Sequence, residues 1–312
     1  MEKVLVTIKC MVFNQEPYLR ECFDGFLIQK TKFPFEVIVH DDASTDGSKA
    51  IIQEYASKYP SIFKPLYETE NQYSKVGFFG IIKMMNQHIH GKYVAICEGD
   101  DYWIDPCKLQ KQVDYLERNL ECGLVYTQSF QLDQKINKQN RGWSRQSSFY
   151  EMLINDNPIC TPTTLFRCSL YKQYFDDIEI DDSWKMADLP LWLYLAYKSD
   201  IKFLDETTTV YRSLPQSASH SENIKHLMSF LNSDLRIRLY IANKFNSVNY
   251  LKRIVNYNIN ALFKLSVRFD KNISVYILKV AARNHYFSAK ILLKSLLYSF
   301  SFGRKYHKHK YQ

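Results

Sequence analysis

The sequence predicts an α/β protein: a doubly wound, mostly parallel sheet flanked by helices over residues 1–228, then a helical and basic region over 229–312. Three observations carry this reading. Short apolar runs of strand length alternate with amphipathic helical segments through the first half of the chain. Two of those strand runs end in clusters of acids, Asp41-Asp42 and Glu98-Gly99-Asp100-Asp101. The charge is divided: from Tyr240 to Gln312 fourteen Lys and Arg stand against the single acid Asp270, a balance of +13 within a chain of net +8. The preceding residues therefore carry −5, and the acidic portion holds the candidate chemistry.

Residues 4 to 13, VLVTIKCMVF, read as a buried strand, and Asn14-Gln15-Glu16-Pro17 as a helix start with an early proline. Leu19, Cys22, Phe23, Phe26 and Leu27 then fall on one helical face. Phe35 to Val39 is the second strand, ending in HDDASTDGS, where Ser44, Thr45 and Asp46 offer caps for a helix that buries Ile51, Ile52 and Tyr55. A third helix, roughly Gly77 to Ile89, puts Phe78, Ile81, Ile82, Met85 and Ile89 on one face, ahead of a strand from Tyr93 to Cys97. Next come a helix with Leu109, Val113 and Leu116 inward, a short strand near Gly123 to Thr127, and a polar stretch from Gln131 to Ser148 that reads as a mobile loop. Pro158 to Leu170 and a helix from Asp188 to Tyr197 return to the core, and Ile201 to Tyr211 is a last strand.

A chain of 312 residues that is 46% hydrophobic can bury a full core. The seven cysteines, at positions 10, 22, 97, 107, 122, 160 and 168, include no CxxC pair and no zinc-type Cys/His spacing, so they read as reduced core residues of a cytoplasmic protein. Lys9 interrupts the apolar run at the N-terminus, which favours a strand over a signal peptide. No segment approaches the roughly 18 apolar residues of a membrane-spanning helix. Neither GxGxxG after the first strand nor GxxxxGK[ST] occurs, so any nucleotide phosphate here is not held by a glycine-rich cradle.

Ligands of doubly wound sheets bind outside the carboxyl ends of the strands, so the two acidic clusters can converge on one crevice. Three carboxylates at a strand mouth form a hard-oxygen site suited to Mg²⁺ or Mn²⁺. Such a cation neutralises a diphosphate and stabilises charge on a leaving group. Taken alone, the same acids can be helix caps or a solvated turn.

Four stretches in one consistent order change that balance: VTIKCMVFNQEPYLRECFDGFLIQ, FEVIVHDDASTDGS, GKYVAICEGDDYWIDPCKLQKQVDYLE and MADLPLWLYLA. Over about residues 4 to 213 the chain resembles a family 2 glycosyltransferase, an inverting enzyme of the Rossmann-like GT-A fold that uses a nucleotide-sugar donor. The resemblance implies that Asp41 and Asp42 bind the uracil and ribose of a UDP-sugar. Glu98-Gly99-Asp100 stands at the family's Asp-x-Asp motif, with Glu98 one methylene longer than the usual Asp. Asp100 is then the first choice as metal ligand for Mn²⁺ or Mg²⁺, with Glu98 reaching ribose or metal through water and Asp101 in support. Asp188 matches the catalytic base, although an Asp before an amphipathic helix is often only a cap. Arg212 is expected to face the diphosphate, with His220 in a similar role, while Trp103 and Trp192 read as packing residues. Two other functions stay open: a nucleotidyltransferase, which would want basic residues where Asn14-Gln15-Glu16-Pro17 offers none, and a non-catalytic nucleotide-sugar binding module.

From Ser229 onward the chain reads as helices, with Ile277, Val280 and Ala281 and then Leu292, Leu293, Leu296 and Leu297 at helical spacing among Lys279, Arg283, Lys290 and Lys294. The plain reading is a packed appendage with a solvated basic face. The sharper one is a surface that holds the protein peripherally on an anionic membrane, with a glycan or lipid-linked saccharide as acceptor. Nucleic acid is not an expected partner, because no recognised binding motif accompanies the charge.

Overall fold

A computed structural model describes residues 3–214, 223–286 and 288–300. The chain divides into two compact units: Met1–Phe149, Asn157–Asp182 and Leu191–Leu214 in the first, and Tyr150–Asp156, Ser183–Pro190 and Pro215–Gln312 in the second.

The first unit is built on one sheet. Strands β1 (Val6–Val12), β2 (Phe35–Asp41), β3 (Phe63–Tyr67) and β4 (Tyr93–Ile96) form its parallel half, in the order β3-β2-β1-β4. β1 is buried along nearly all of its length, as both faces of a parallel strand must be when helices cover them. The sheet continues through β8 (Leu165–Arg167), β6 (Cys122–Asp133), β9 (Asp200–Ser213) and the two-residue β5 (Tyr102–Trp103), where the pairings are antiparallel apart from the parallel β6–β9 pair.

Helix α1 (Glu16–Leu27) buries Leu19, Cys22, Phe23 and Phe26 on the face that the spacing predicts. Its Gly25 has a reason that periodicity hides: a Cβ there would lie 2.8 Å from the backbone N and O of Trp103. The glycine thus lets β5 lie directly on the helix, where Phe26 and Trp103 meet edge to face at 5.0 Å. Helices α2 (Ser48–Lys58) and α4 (Lys108–Arg118) bury Ile51, Ile52 and Tyr55, and Leu109, Val113 and Leu116, as expected.

Three local expectations are corrected. Helix α3 runs Tyr73–Asn86 with a kink at Gly77 (φ 66°), and past it Phe79 is buried while Phe78, the first residue after the kink, is only half-buried. Ser44, Thr45 and Asp46 do not stand at the cap position of α2, which is Gly47. The stretch from Gln131 to Ser148 is only partly loop: β6 runs on to Asp133 and pairs with β7 (Lys138–Arg141) as an exposed hairpin. Its polarity misleads, since an antiparallel ribbon facing water needs no apolar residues.

The second unit is helical. It holds α8 (Ile224–Lys244), α9 (Leu251–Arg268), α10 (Ser274–Arg283) and α11 (Ala289–Ser299). Buried Arg238 of α8 pairs with Asp234 at 2.8 Å and donates to the Met152 carbonyl, and Asn258 donates to the Leu231 carbonyl at 2.7 Å. Ile277, Val280 and Ala281 are buried as their spacing predicts, whereas Leu292, Leu293, Leu296 and Leu297 are exposed. All seven cysteines are free, and six are buried. Among the described residues no helix is long and apolar enough to cross a membrane.

Candidate active site

β2, β1 and β4 are parallel neighbours, so their carboxyl ends open on one edge of the sheet. Val12 is in register with Asp41, the Asp42 N–H donates to the Val12 carbonyl at 3.0 Å, and the Gly99 N–H donates to the Met11 carbonyl at 3.2 Å. The two acidic clusters therefore flank the end of β1, about two strand spacings or ~10 Å apart. The convergence expected from the sequence is present in the fold.

The loop after β1 is clamped to the loop after β2. Asn14 takes a left-handed conformation (φ 52°), and its Oδ1 accepts the Thr45 N–H at 2.8 Å. The N–H groups of Asn14, Gln15 and Glu16 donate to Ser44 Oγ, Ser48 Oγ and Asp46 Oδ2 at 3.0, 2.9 and 3.0 Å, and the Gly47 N–H donates back to Glu16 Oε2 at 2.7 Å. Ser44 thus satisfies an amide leading into α1, while Asp46 serves both helix starts, its Oδ2 taking the Glu16 N–H and its Oδ1 the Ser48 N–H at 2.9 Å from one residue outside the cap position of α2.

The acidic pair divides its labour. Asp42 is committed: its two oxygens accept the N–H groups of Gln72 and Tyr73 at 2.6 and 3.1 Å, at the start of α3. Asp41 is fully buried; its Oδ1 accepts the Ser44 N–H at 3.3 Å, and its Oδ2 has no hydrogen-bond partner. A buried carboxylate oxygen without a donor is costly unless a ligand supplies one.

In the acidic loop Asp101 is buried, and Glu98 and Asp100 are half-buried. Burial, then the neighbouring charges of Asp100 and Glu98, push the Asp101 carboxyl well above the ordinary carboxylate range, although the Arg212 N–H donates to its Oδ1 at 2.8 Å. Burial also raises Asp100, with Arg212 opposing. Arg212, on β9, is buried between the rings of Tyr102 and Tyr18, at 4.5 and 5.1 Å from their centroids, and its guanidinium donates to the Asp100 carbonyl and to Glu21. Its Nε has no partner. Glu21, Tyr18 and Tyr102 carry no motif signal, and only the fold brings them to Arg212.

Two lysines of the same unit are buried. Lys9 donates to Asn86 Oδ1 and Tyr171 Oη at 2.7 and 2.8 Å, and burial lowers it to about 7, against the attraction of Cys168 and Glu98. Lys108 donates to Gln112 Oε1 at 2.8 Å and sits 4.1 Å from the Trp103 ring centroid; burial brings it also to about 7. Trp103 in turn donates from Nε1 to the Pro162 carbonyl at 2.8 Å, a packing role as expected.

Among the described residues, no three His, Cys, Asp or Glu side chains are gathered as a metal cage. Mg²⁺ and Mn²⁺ need no such cage when a diphosphate supplies the remaining oxygens, because one or two protein carboxylates suffice. Burial raises both Asp100 and Asp101, and at Asp101 the charges of Asp100 and Glu98 add to it; the oxygen donors gathered in this loop are of the hard kind that such an ion takes.

Asp188 belongs to the second unit and is the first residue of α7 (Asp188–Lys198). Burial, with the Asp234 charge adding to it, raises its carboxyl above the usual range, against hydrogen bonds from the N–H groups of Leu189 and Asp188 itself. Trp192, further along α7, is fully buried, in keeping with packing. His220 lies outside the described residues.

The family description Glycosyl transferase family 2 matches residues 9–176. An uncharacterized protein of Mycobacterium tuberculosis is 36% identical over 224 residues, which span 69% of this chain and 61% of that relative. The match thus covers about three-fifths of that protein's length. Among solved structures, S. aureus TarS shares the fold with a TM-score of 0.65 at 16% identity, over 98% of this chain and 54% of TarS. A shorter TarS structure, in complex with UDP-GlcNAc, aligns with a TM-score of 0.55 at 14% identity, over 99% of this chain and 91% of that one. The mannosyltransferase PcManGT of Pyrobaculum calidifontis, in complex with GDP-Man and Mn²⁺, aligns with a TM-score of 0.56 at 17% identity, over 98% and 87% of the two chains. The expected fold, GT-A, is the one these structures share with this chain.

Proposed function

Given that the chain belongs to glycosyl transferase family 2, we propose that it is an inverting glycosyltransferase that moves a sugar from a nucleoside-diphosphate donor, with UDP as the nucleotide, to a hydroxyl of a glycan or lipid-linked acceptor. The observation that carries the donor half is Asp41: a fully buried carboxylate whose Oδ2 has no donor, at the end of β2 and across β1 from a crowded acidic loop. A nucleobase or ribose donor satisfies that oxygen. Asp42 serves the same pocket through the start of α3, which it holds.

Asp100 and Glu98 would hold a divalent cation, Mn²⁺ or Mg²⁺, with Asp101 behind them. When bound, such a cation offsets charge on the leaving diphosphate. Arg212 fixes the acidic loop from β9 and presents an unpartnered Nε beside it, which suits it to an anionic donor. Asp188 takes the proton from the acceptor hydroxyl as the sugar is displaced in line at its anomeric carbon; raising its carboxyl brings it closer to the range where a base works best. The relatives' UDP-GlcNAc and GDP-Man complexes support a nucleotide-sugar donor. The basic C-terminal region would hold the protein peripherally at the cytoplasmic face of a membrane.

The stereochemistry of the first turnover tests this reading. NMR of the product is expected to show an anomeric configuration opposite to that of the donor; retention would contradict the single displacement.

A further inference from the structure

Helix α11 is oriented against its own hydrophobicity. Its inward residues are Ile291, Ser295 and Tyr298, while Leu292, Leu293, Leu296 and Leu297, with Phe300 after the helix end, face out; Leu293 is 67% and Phe300 69% exposed. A helix that merely packs on a neighbour would turn its leucines in. The rotation is fixed by contacts with α9: the Tyr298 ring meets Phe263 at 5.0 Å, and the Lys294 ammonium sits 4.4 Å from the Phe263 centroid and donates to Asn260 Oδ1 at 3.3 Å. Contiguous exposed apolar surface of this kind marks an interaction site.

Charge selects the occupant. From Tyr240 to Gln312 the sequence carries +13, and Lys290 stands exposed one turn before Leu293. A second copy docked on this face would bring a like-charged surface against it, and nucleic acid has no use for leucines. An anionic lipid surface satisfies both features, taking the leucines into the acyl boundary and the lysines among the headgroups.

We propose that α11 is a membrane-docking helix that lays its leucine face on an anionic bilayer surface. This gives residues and an orientation to the peripheral attachment suggested above, and it does not depend on the donor chemistry.

The test is flotation of the full chain with vesicles of phosphatidylcholine alone and of phosphatidylcholine with phosphatidylglycerol. The wild type is expected to float with the anionic vesicles and to be released as salt rises. The double variant Leu293→Glu/Leu297→Glu is expected to lose at least about tenfold in vesicle affinity, and Lys290→Glu to weaken binding less. Both alter exposed positions, so thermal unfolding and nucleotide binding should match the wild type. Failure of the wild type to float with anionic vesicles, or unchanged flotation of the leucine variant, would overturn the proposal while leaving sugar transfer untouched. A wild-type dimer that the leucine variant converts to a monomer, without vesicle binding by either, would assign the face to a second copy instead.

Discussion

The Asp101 carboxylate accepts the backbone N–H of Arg212 at 2.8 Å, joining the loop after β4 to a strand 111 residues later. Asp101 is buried and raised well above the ordinary carboxylate range, so its oxygen is needed where its charge is costly. Asp101→Asn keeps the Oδ1 acceptor and removes the repulsion from Asp100 and Glu98; its melting temperature should equal or exceed that of the wild type. Asp101→Ala strands a buried N–H and should cost about 1–3 kcal/mol in chemical unfolding.

Asp41 and Asp42 look equivalent as a dipeptide, and the fold separates them. Asp41→Asn retains the bond from the Ser44 N–H but weakens the acceptor left for a ligand, so donor affinity should fall by roughly 10–150-fold with little change in unfolding. Asp42→Ala removes the acceptor for the N–H groups of Gln72 and Tyr73 and should cost about 1–2 kcal/mol of stability. Equal effects of the two substitutions on both measurements would contradict this division.

Asp188→Asn should lower the transfer rate by roughly 10²–10⁴ while leaving donor affinity unchanged. In the wild type the acid limb of the rate profile should lie above the ordinary carboxylate value of 3.8, because the base must be deprotonated and burial raises it. Full activity in the variant would remove Asp188 from the mechanism.

Lys108 gives a prediction about stability. Its ordinary value is 10.5 and burial lowers it to about 7, so between those values the unfolded chain binds the proton that the folded chain has released. Stability contributed by this group therefore rises with pH from about 7 upward, by at most about 1.4 kcal/mol per pH unit. Chemical unfolding of Lys108→Met should show a shallower rise than the wild type between neutral and mildly alkaline pH. Identical slopes would mean that Lys108 stays charged when buried.

How much of this was legible in the sequence follows from the range of the signals. The strand runs, the faces of α1, α2 and α4, and the acids at the ends of β2 and β4 all stand out by local pattern, and the parallel order brought those acids to one edge. What pattern could not carry was pairing across distance. That Asp42 accepts two α3 amides could not be read locally, because it depends on a chain reversal 30 residues on. Nothing in the local sequence accounts for Gly25 in α1, since the Trp103 backbone that lies against it is far along the chain. The leucines of α11 have helical spacing whether they face in or out, and only the Tyr298–Phe263 contact sets the rotation.

The central claim, a nucleotide-sugar site at the ends of β2 and β4, is tested most directly by calorimetric titration of uridine, guanosine and thymidine diphosphate sugars with and without Mn²⁺. Saturable binding of a UDP-sugar, strengthened by Mn²⁺ and lost in Asp41→Asn, is the expected result; no binding of any of these donors under either condition would contradict the account.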